Sequence, residues 1–299
     1  MGMGRNKKGA VGIVGLGIMG GAFARNLAAA GWQVKGFDVD PARCSELSKA
    51  GVEIAPDVGA IAQSVPTILT SLPAPAALAE VIREIASIKG KKLVVAEMST
   101  FAIEDKAKAE KLLAEAGHVL LDCPVSGTGA QAKLKDIVIY ASGDRASIAA
   151  LRPMFADFSR QTHDLGAFGN GSRMKYIANL LVSIHNVAAA EAMVLGMKAG
   201  LNPQKVFDVI STSAGTSRMF EVRGPMMVAG EYDEATMRGS MWQKDLAIIG
   251  AFAKALGVPT PTFDATLPVY AEALAAGYGA QDTGAVCAVL EHKAGVKRG

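Results

Sequence analysis

The amino-acid sequence predicts an α/β domain followed by an all-helical domain, with a long helix between them. Three observations predict this organisation: strand-like and helix-like segments alternate through the first half, the alternation stops near Gly166, and helical patterns fill the remainder. The chain has 299 residues, 50% of them hydrophobic, which is a globular balance with enough length for one or two full cores.

Short runs rich in β-branched residues alternate with amphipathic stretches in the first half. The runs that predict strands are Ala10–Val14, Gln33–Phe37, Thr67–Ser71, Lys92–Ala96, Val119–Leu121 and Ile137–Ala141. The stretches that predict helices are Met19–Ala30, Pro41–Ala50, Ala76–Ile88, Ile103–Ala116 and Asp144–Phe158. Such alternation is typical of a parallel sheet covered by helices on both faces.

The second half begins with the glycine-rich linker Gly166–Gly171. A helical pattern then runs from Ser172 to Lys198 and ends at Gly200, a residue type that is common just beyond helix C-termini. The remaining helices are predicted at Gln204–Ser211, Arg218–Val228, Met241–Leu256, Phe263–Ala276 and Thr283–Leu290. The predicted domains are therefore residues 1–168 and residues 169–299.

Charge and cysteine content exclude several classes of protein. The formal net charge of +3 is too small for a dedicated nucleic-acid binder, which carries a clustered basic face. The cysteines, Cys44, Cys123 and Cys287, lie far apart, so they predict neither a disulfide framework nor a metal site. We expect a cytoplasmic protein that binds neither a metal nor nucleic acid.

Two segments resemble membrane-directed sequences, and we expect neither to act as one. The first eight residues are basic and precede an apolar run, as in a signal peptide, but glycines interrupt that run. The most apolar long stretch is Ile177–Leu195, and its polar side chains predict that it does not span a membrane alone. These side chains are Asn179, His185, Asn186 and Glu191.

A glycine-rich loop lies between the first predicted strand and the first predicted helix. Its sequence is Gly15-Leu16-Gly17-Ile18-Met19-Gly20. In this pattern the first glycine permits a tight turn, the second lets a pyrophosphate approach the backbone, and the third allows close packing of strand and helix. The helix N-terminus then offers its N–H groups and the positive end of its dipole to the phosphates. The loop predicts a Rossmann domain that binds a dinucleotide.

An acidic residue at the end of the second predicted strand bears on the choice of dinucleotide. Asp38 stands 18 residues after Gly20, where a carboxylate accepts hydrogen bonds from the adenosine ribose. A carboxylate there repels the 2′-phosphate of NADP, so we expect NAD as the cofactor. Arg43, in the following helix, leaves the use of NADP open.

Four motifs, spread over nearly the whole chain, are similar in sequence and order to those of one known family. They are the loop Gly15–Gly20, the segment Asp122-Cys-Pro-Val-Ser-Gly127, the group Gly169-Asn-Gly171 with Lys175 and Asn179, and Lys244-Asp245-Leu246. On these motifs the chain resembles the β-hydroxyacid dehydrogenase family, which includes 3-hydroxyisobutyrate dehydrogenase and tartronate semialdehyde reductase. The resemblance implies an NAD(P)-dependent oxidoreductase, related to 6-phosphogluconate dehydrogenase, that exchanges a hydride between a small hydroxy acid and the nicotinamide.

The resemblance also implies roles for single residues. Lys175 matches the catalytic lysine, a general acid and base, and Asn179 matches the amide beside it. The positions that match the substrate carboxylate site are Ser126, Gly127 and Thr128. The positions that match the cofactor side are Leu72, Pro73, Ser99, Thr100 and Lys244. The residues themselves agree, because alcohol oxidation needs a base and residues four apart share one helix face. We also expect a homodimer or homotetramer assembled through the helical half.

Three positions depart from the family's pattern. Thr128 stands where a second glycine is common, and the family also carries a glycine near Lys135. Cys123 stands where alanine is common, and because no obvious base accompanies it we expect a packed side chain rather than a reactive thiol. These departures fall in the segment that matches the substrate carboxylate site, so they bear on the substrate more than on the fold.

The segment from residue 214 to residue 225 resembles the corresponding stretch of threonate dehydrogenases. Its hydroxyl side chains, with Arg218 and Arg223, favour a polyhydroxylated acid such as threonate, unless both arginines pair with Glu221 or surface carboxylates. The alternatives left open are a tartronate semialdehyde (2-hydroxy-3-oxopropionate) reductase and a 3-hydroxyisobutyrate dehydrogenase. Imine reductases share the architecture but usually lack the lysine, and a non-enzymatic dinucleotide-binding sensor is the remaining alternative.

Overall fold

The computed structural model describes residues 8–298. The basic segment at the start of the chain lies almost wholly outside the described residues. The chain divides into two compact units, the first ending at Lys175 and the second beginning at Tyr176.

A six-stranded parallel sheet forms the centre of the first unit. Its strands are β1 (Ala10–Val14), β2 (Gln33–Phe37), β3 (Glu53–Ile54), β4 (Thr67–Thr70), β5 (Val94–Glu97) and β6 (Val119–Asp122). Their spatial order is β3-β2-β1-β4-β5-β6, and each neighbouring pair is parallel. This is the strand order of a Rossmann fold, with the change of direction beside β1. The predicted α/β fold is confirmed.

Helices pack on this sheet through two hydrophobic clusters. The helices are α1 (Ile18–Ala29), α2 (Pro41–Ser48), α3 (Val58–Ser64), α4 (Pro75–Ala86) and α5 (Ile103–Glu115). Strand β1 contributes to both clusters because its side chains alternate: Val11 and Ile13 join the cluster that contains α1, while Val14 joins the one that contains α3, α4 and α5. The carboxyl ends of the strands remain at one edge of the sheet, and the loops there carry most of the predicted site.

A second, smaller sheet follows in the same unit. It contains β7 (Val125–Ser126), α6 (Gly129–Lys133), β8 (Val138–Ala141), α7 (Arg145–Ala156) and β9 (Gln161–Asp164), with strand order β7-β8-β9. An isolated bridge between Asp122 and Ser142 connects it to the end of β6. The sequence patterns had indicated β8 and α7 but not β7, α6 or β9, and they also missed β3 and α3.

The second unit is built of helices, as predicted. The long helix α8 (Asn170–Lys198) begins two residues before the predicted start, in the first unit, and continues into the second. It is followed by α9 (Pro203–Ile210), α10 (Arg218–Ala229), α11 (Gly239–Ala255), α12 (Pro261–Ala275) and α13 (Val286–Ala294). Two short 3₁₀ turns, Tyr278–Ala280 and Thr283–Ala285, precede α13. The last helix therefore starts three residues after the predicted start.

Helix α8 is more apolar than the sequence argument allowed. An 18-residue window of this helix has a mean hydropathy of 1.6, which passes the test for a membrane span by length and composition, and 39% of that window is buried. Its polar side chains therefore do not exclude a span. The finding is weak evidence for a membrane, because core helices of soluble proteins pass the same test.

Candidate active site

The glycine-rich loop joins β1 to α1 with the geometry that its pattern predicts. Gly15 has φ +90°, a left-handed conformation that favours glycine, and a Cβ atom there would collide with the carbonyl oxygen of Ser71. A Cβ atom at Gly20 would collide with the carbonyl oxygen of Gly15. Two of the three glycines are therefore required by the turn and by its packing.

The middle glycine differs, because a Cβ atom at Gly17 would meet nothing within 4 Å. Its φ of −61° is also available to any residue, so neither strain nor packing calls for glycine here. Gly17 is the N-cap of α1 and supplies no side-chain cap to the first turn. The open space in front of this helix N-terminus fits a dinucleotide pyrophosphate, which binds backbone N–H groups at such a position.

Asp38 lies at the carboxyl end of β2, next to the glycine-rich loop. Its Oδ2 accepts a hydrogen bond of 2.6 Å from the backbone N–H of Leu16, and its Oδ1 accepts one of 2.9 Å from Asp40 N. The carboxylate is thus held against the loop, and each oxygen keeps a lone pair for a further donor such as a ribose hydroxyl. Arg43 lies 3.8 Å from both Asp40 Oδ2 and Glu46 Oε2.

Strands β4 and β5 bring the other predicted cofactor-side segments to the same edge of the sheet. Leu72 and Pro73 follow β4, and Ser99 and Thr100 follow β5. Ser99 Oγ accepts a hydrogen bond of 2.8 Å from the backbone N–H of Leu72, which joins the two loops directly. The backbone N–H of Ser99 donates to Glu97 Oε1 at 2.8 Å.

The segment that matches the substrate carboxylate site links β7 to α6. Gly127 has φ +137°, and a Cβ atom there would lie 2.7 Å from Ile137 Cγ2, so the turn requires glycine. Thr128 caps α6 in a capping box: its hydroxyl accepts from Gln131 N, and its backbone N–H donates to Gln131 Oε1 at 3.0 Å. Thr128 therefore uses both groups to form the loop.

This loop is packed against the glycine-rich loop. A Cβ atom at Gly129, the first residue of α6, would collide with Ile18 Cγ2 at the start of α1. Asn26 Nδ2 on α1 donates to the carbonyl oxygen of Ala132 on α6 at 2.8 Å. The structure therefore brings the predicted substrate loop and the predicted pyrophosphate loop together.

Lys135, near which the family carries a glycine, has a strained backbone conformation. Lys135 has φ +61°, which makes it the one non-glycine residue with positive φ among residues 8–298. The backbone keeps the left-handed conformation that a glycine near this position would adopt without strain.

Lys175 and Asn179 lie four residues apart on α8, and Asn179 is buried. The start of this helix is fixed to the end of β6, because Asp122 Oδ2 accepts the backbone N–H of Ser172 and Oδ1 accepts its hydroxyl, both at 2.7 Å. The backbone N–H of Gly171 donates to Ser142 Oγ at 2.9 Å. The helix that carries Lys175 therefore starts at the sheet edge that holds the loops described above.

Lys244 and the two arginines belong to the second unit. Lys244 lies on α11 with 42% of its side chain exposed, 3.8 Å from Asp245 Oδ1, and its role at the cofactor stays a prediction. Arg218 pairs with Glu221 at 3.0 Å on the surface. Arg223 is buried and donates to Asp282 Oδ1 at 2.9 Å.

The expectation that both arginines suit a polyhydroxylated acid is wrong for Arg223. Its buried partner accepts five further hydrogen bonds, three from backbone N–H groups and two from hydroxyls, so the pair is part of the fold of the helical unit. Arg218 has an exposed acidic partner three residues along its own helix. The pairing with Glu221 that the sequence left open is found for Arg218, whereas the partner of Arg223 is a buried carboxylate rather than a surface one.

Cys123 is fully buried, and burial raises the pKa of its thiol well above the ordinary value. The prediction of a packed side chain is confirmed. Within residues 8–298, no group of three or more His, Cys, Asp and Glu side chains is placed to hold a metal ion.

Sequence reasoning missed three residues around the start of α8: Lys106, Ser142 and Ser172. Lys106 lies in a run of charged residues that resembles an exposed helix surface. The available signal was its spacing, because Lys106 precedes the buried Ala109 and Leu113 by three and seven residues and so shares their face of α5. The two serines gave no local signal.

Family models match both halves of the chain. Residues 10–166 match the NAD binding domain of 6-phosphogluconate dehydrogenase, and residues 169–290 match the model described as NAD-binding of NADP-dependent 3-hydroxyisobutyrate dehydrogenase.

Full-length relatives agree with the family models. The L-threonate dehydrogenase of Haemophilus influenzae is 31% identical, over 98% of this chain and 99% of that protein. The L-threonate dehydrogenase of Cupriavidus necator is 32% identical, over 94% and 95%. A crystal structure of 3-hydroxyisobutyrate dehydrogenase from Salmonella typhimurium is 32% identical with a TM-score of 0.85, and the match covers 94% of this chain and 100% of that one.

Fold, loop and relatives place the protein among NAD(P)-dependent oxidoreductases with the 6-phosphogluconate dehydrogenase type of nucleotide-binding domain. More narrowly, the chain belongs to the β-hydroxyacid dehydrogenase family. The predicted family, cofactor class and enzyme class are confirmed.

Proposed function

We propose that this enzyme oxidises a small polyhydroxylated acid of the threonate type with NAD, and that Lys175 is the general acid and base. The observation that carries this proposal is the attachment of the Lys175 helix to the carboxyl edge of the sheet, through Asp122, where the dinucleotide loop also lies. Tartronate semialdehyde reduction and 3-hydroxyisobutyrate oxidation are the alternatives from the same class.

The residues divide the chemistry in the following way. A bound nicotinamide dinucleotide supplies the hydride acceptor. Oxidation of the alcohol also releases the hydroxyl proton, and Lys175 Nζ removes it; in the reverse direction the same atom returns a proton to the carbonyl oxygen. The amide of Asn179, one turn along the helix, orients the substrate hydroxyl. Ser126 and Gly127 bind the substrate carboxylate, and Thr128 shapes that loop through its capping box.

The preference for NAD follows from the charges around Asp38. Its carboxylate is held against Leu16, and a 2′-phosphate on an adenosine ribose bound there would be repelled. Arg43, the basic side chain that left NADP open, lies beside Asp40 and Glu46, whose charges a 2′-phosphate would have to displace. Leu72, Pro73, Ser99, Thr100 and Lys244 complete the proposed cofactor site.

The substrate class rests on the relatives rather than on the arginines. The two bacterial relatives described above are named L-threonate dehydrogenases, and both match nearly the whole chain. The hydroxyl-rich segment before α10 is consistent with a sugar acid, whereas Arg223 does not favour one because Asp282 holds its guanidinium group.

The deciding experiment is NADH formation on a panel of L-threonate, glycerate, 3-hydroxyisobutyrate and serine, with NADP in parallel. We expect L-threonate to give the highest kcat/KM, and Lys175→Ala to lower kcat by about 100-fold or more while NADH still binds. The matched control is Lys198→Ala, a lysine at the other end of the same helix, which is expected to keep full turnover. Turnover that survives in Lys175→Ala would contradict the assigned role.

The assembly, location and domain limits are also proposals. Four exposed apolar side chains lie along α8, as expected of a face that another subunit covers: Met174, Ile177, Leu181 and Leu195. We propose that the protein is a homodimer or homotetramer assembled through this face. We also propose a cytoplasmic location, without binding to membranes or nucleic acid. The proposed domains are a dinucleotide-binding domain, 1–168, and a substrate and dimerisation domain, 169–299. Light scattering that gives the mass of a monomer would contradict the assembly.

A further inference from the structure

Three charged side chains are buried together beneath the proposed active site. Lys106, on the first turns of α5, lies 2.6 Å from Glu97 Oε2 at the end of β5 and 2.8 Å from Asp122 Oδ1 at the end of β6. Their side chains are at most 1% exposed. Charges in such a position are tolerated only when each is paired and hydrogen-bonded, so the cluster demands its full set of partners.

Lys106 Nζ contacts three groups. It donates hydrogen bonds to Asp122 Oδ1 and, at 2.7 Å, to the carbonyl oxygen of Ser99, and it forms an ion pair with Glu97 Oε2. Although burial opposes the charged form, the charges of Glu97 and Asp122 hold the pKa of Lys106 above its ordinary value. Burial raises the pKa of Glu97, because desolvation disfavours the carboxylate more than the charge of Lys106 and the hydrogen bonds from Lys106 and Ser99 favour it. The lysine is therefore a permanent cation.

One arm of this cluster reaches the helix of Lys175. The carboxylate of Asp122 accepts hydrogen bonds from the backbone N–H and the hydroxyl of Ser172, and it accepts another from the hydroxyl of Ser142 at 3.2 Å. A Cβ atom at Gly171 would collide with the carbonyl oxygen of Tyr140, so the first turn of α8 has no room to shift toward the sheet. An ionised carboxylate at a helix N-terminus also interacts favourably with the helix dipole.

The other arm reaches the proposed cofactor side. Lys106 holds the carbonyl group of Ser99, while the hydroxyl of Ser99 accepts the backbone N–H of Leu72. The carboxylate of Glu97 accepts the backbone N–H of Ser99, so the loop after β5 is held from two sides. The ammonium group of Lys106 is thus the point at which the loops after β4 and β5 and the start of α8 are joined.

We infer that Lys106 is a positioning residue of the active site: its ammonium group, too deeply buried to touch a substrate, fixes the Ser99 loop and the first turn of the Lys175 helix relative to each other. The inference rests on the proposed function for the role of Lys175, and on geometry for the connection itself. The competing explanation is that Lys106 only balances the buried carboxylate charges.

The first test replaces Lys106 by methionine, which keeps the length of the side chain and removes all three donors. The readout that does not depend on turnover is amide hydrogen exchange of residues 171–175, which we expect to become about tenfold faster while strand β1 keeps its protection. The matched control is Lys108→Met, two residues further along α5, where the side chain is 80% exposed. Unchanged exchange at residues 171–175 in Lys106→Met would overturn the inference.

The second readout is steady-state kinetics on the acid that the wild-type enzyme oxidises. Lys106→Met is expected to lower kcat by about tenfold to 100-fold, with KM changed by less than about threefold, because a misplaced base impairs the transition state more than substrate binding. If the wild-type enzyme oxidises no hydroxy acid, the proposed function fails, and hydrogen exchange still decides whether Lys106 holds the helix.

A double variant separates positioning from charge balance. The cluster carries two carboxylates and one ammonium, and Lys106→Met combined with Glu97→Gln leaves Asp122 as the single charge, so the formal charge of −1 is unchanged. We expect this variant to regain thermal stability relative to Lys106→Met and to keep the fast exchange and the low kcat. If slow amide exchange and a wild-type kcat returned together with thermal stability, Lys106 would act only by balancing charge, and the inference would be overturned. The double variant also carries the test if Lys106→Met does not fold.

Discussion

Gly17 and Gly20 belong to the same motif but are predicted to fail in opposite ways when each is replaced by alanine. At Gly17 the new methyl group meets nothing within 4 Å, and its φ of −61° suits alanine. At Gly20 the new methyl group lies closer than 3.0 Å to the carbonyl oxygen of Gly15, a separation that Cβ atoms do not show in proteins. The first substitution therefore fills space intended for a ligand, and the second fills space occupied by the protein.

The magnitudes follow from these two environments. Gly17→Ala is expected to cost at most about 1 kcal/mol of folding free energy, the difference between glycine and alanine at an N-cap. Gly20→Ala is expected to cost about 1–3 kcal/mol, because the start of α1 must move away from the loop to accommodate the methyl group. For a protein of this size, that corresponds to a fall in Tm of about 2–12 °C.

The order is reversed for cofactor binding. A methyl group at Gly17 keeps a pyrophosphate from the backbone N–H groups of the helix N-terminus, and a loss of about 1.4–2.8 kcal/mol raises the Kd for NADH by about tenfold to 100-fold. The assays are NADH fluorescence titration and thermal denaturation, applied to both variants and the wild-type protein.

Two results would refute this reasoning. Wild-type affinity for NADH in Gly17→Ala would show that the open space in front of α1 is not where the pyrophosphate binds. Wild-type stability in Gly20→Ala would show that the contact between α1 and the turn is loose enough to absorb a side chain.

Three further substitutions test separate parts of the structure. Asp38→Ala is expected to move the ratio of Kd values about tenfold in favour of NADPH over NADH, because it removes the charge that repels a 2′-phosphate; an unchanged ratio would place selectivity elsewhere. Arg223→Met should cost about 3–5 kcal/mol by leaving Asp282 unpaired, against less than about 0.5 kcal/mol for the exposed Arg218→Met, both by urea denaturation. Although burial opposes it, Arg223 holds the pKa of Asp282 below its ordinary value. The stability that the pair contributes is therefore present above about pH 4 and is lost as the pH falls. A difference in the free energy of unfolding between wild type and Arg223→Met that persists at low pH would contradict the pairing. Lys135→Gly should stabilise the protein by about 0.5–1 kcal/mol by relieving its positive φ, and a loss of stability would mean that the lysine side chain makes up for the strain.

The sequence predicted those parts of the fold that local patterns define. Strands β1 and β2 have the predicted bounds, because apolar and β-branched residues sit between glycines or polar residues that end each run. Strands β3 and β7 are two residues long, and such short segments are defined by the neighbouring strand rather than by any periodicity. Strand β9 is polar and half-exposed at the edge of its sheet, so it lacks the apolar pattern from which a strand is predicted.

The same distinction holds within the site. The roles of Gly15, Gly17 and Gly20 follow from the order strand, turn, helix, so the motif was sufficient to predict their geometry. The partner of Arg223 lies 59 residues further along the chain, and only the packing of the helical unit brings Asp282 to it. Lys106 has charged neighbours in the sequence and a fully buried side chain in the structure, because the cavity that accepts it exists only once β5 and β6 are paired.

The attachment of α8 to the first unit matters for anyone who builds hybrids with homologous enzymes. A crossover at residues 168 and 169 looks natural, since it falls in the bend before the helix. It would draw Ser172 from one parent and the carboxylate of Asp122 from the other, and a mismatch there would leave a buried charge without its donors. A crossover after Lys175 inherits the whole joint, from Asp122 to Ser172, from one parent.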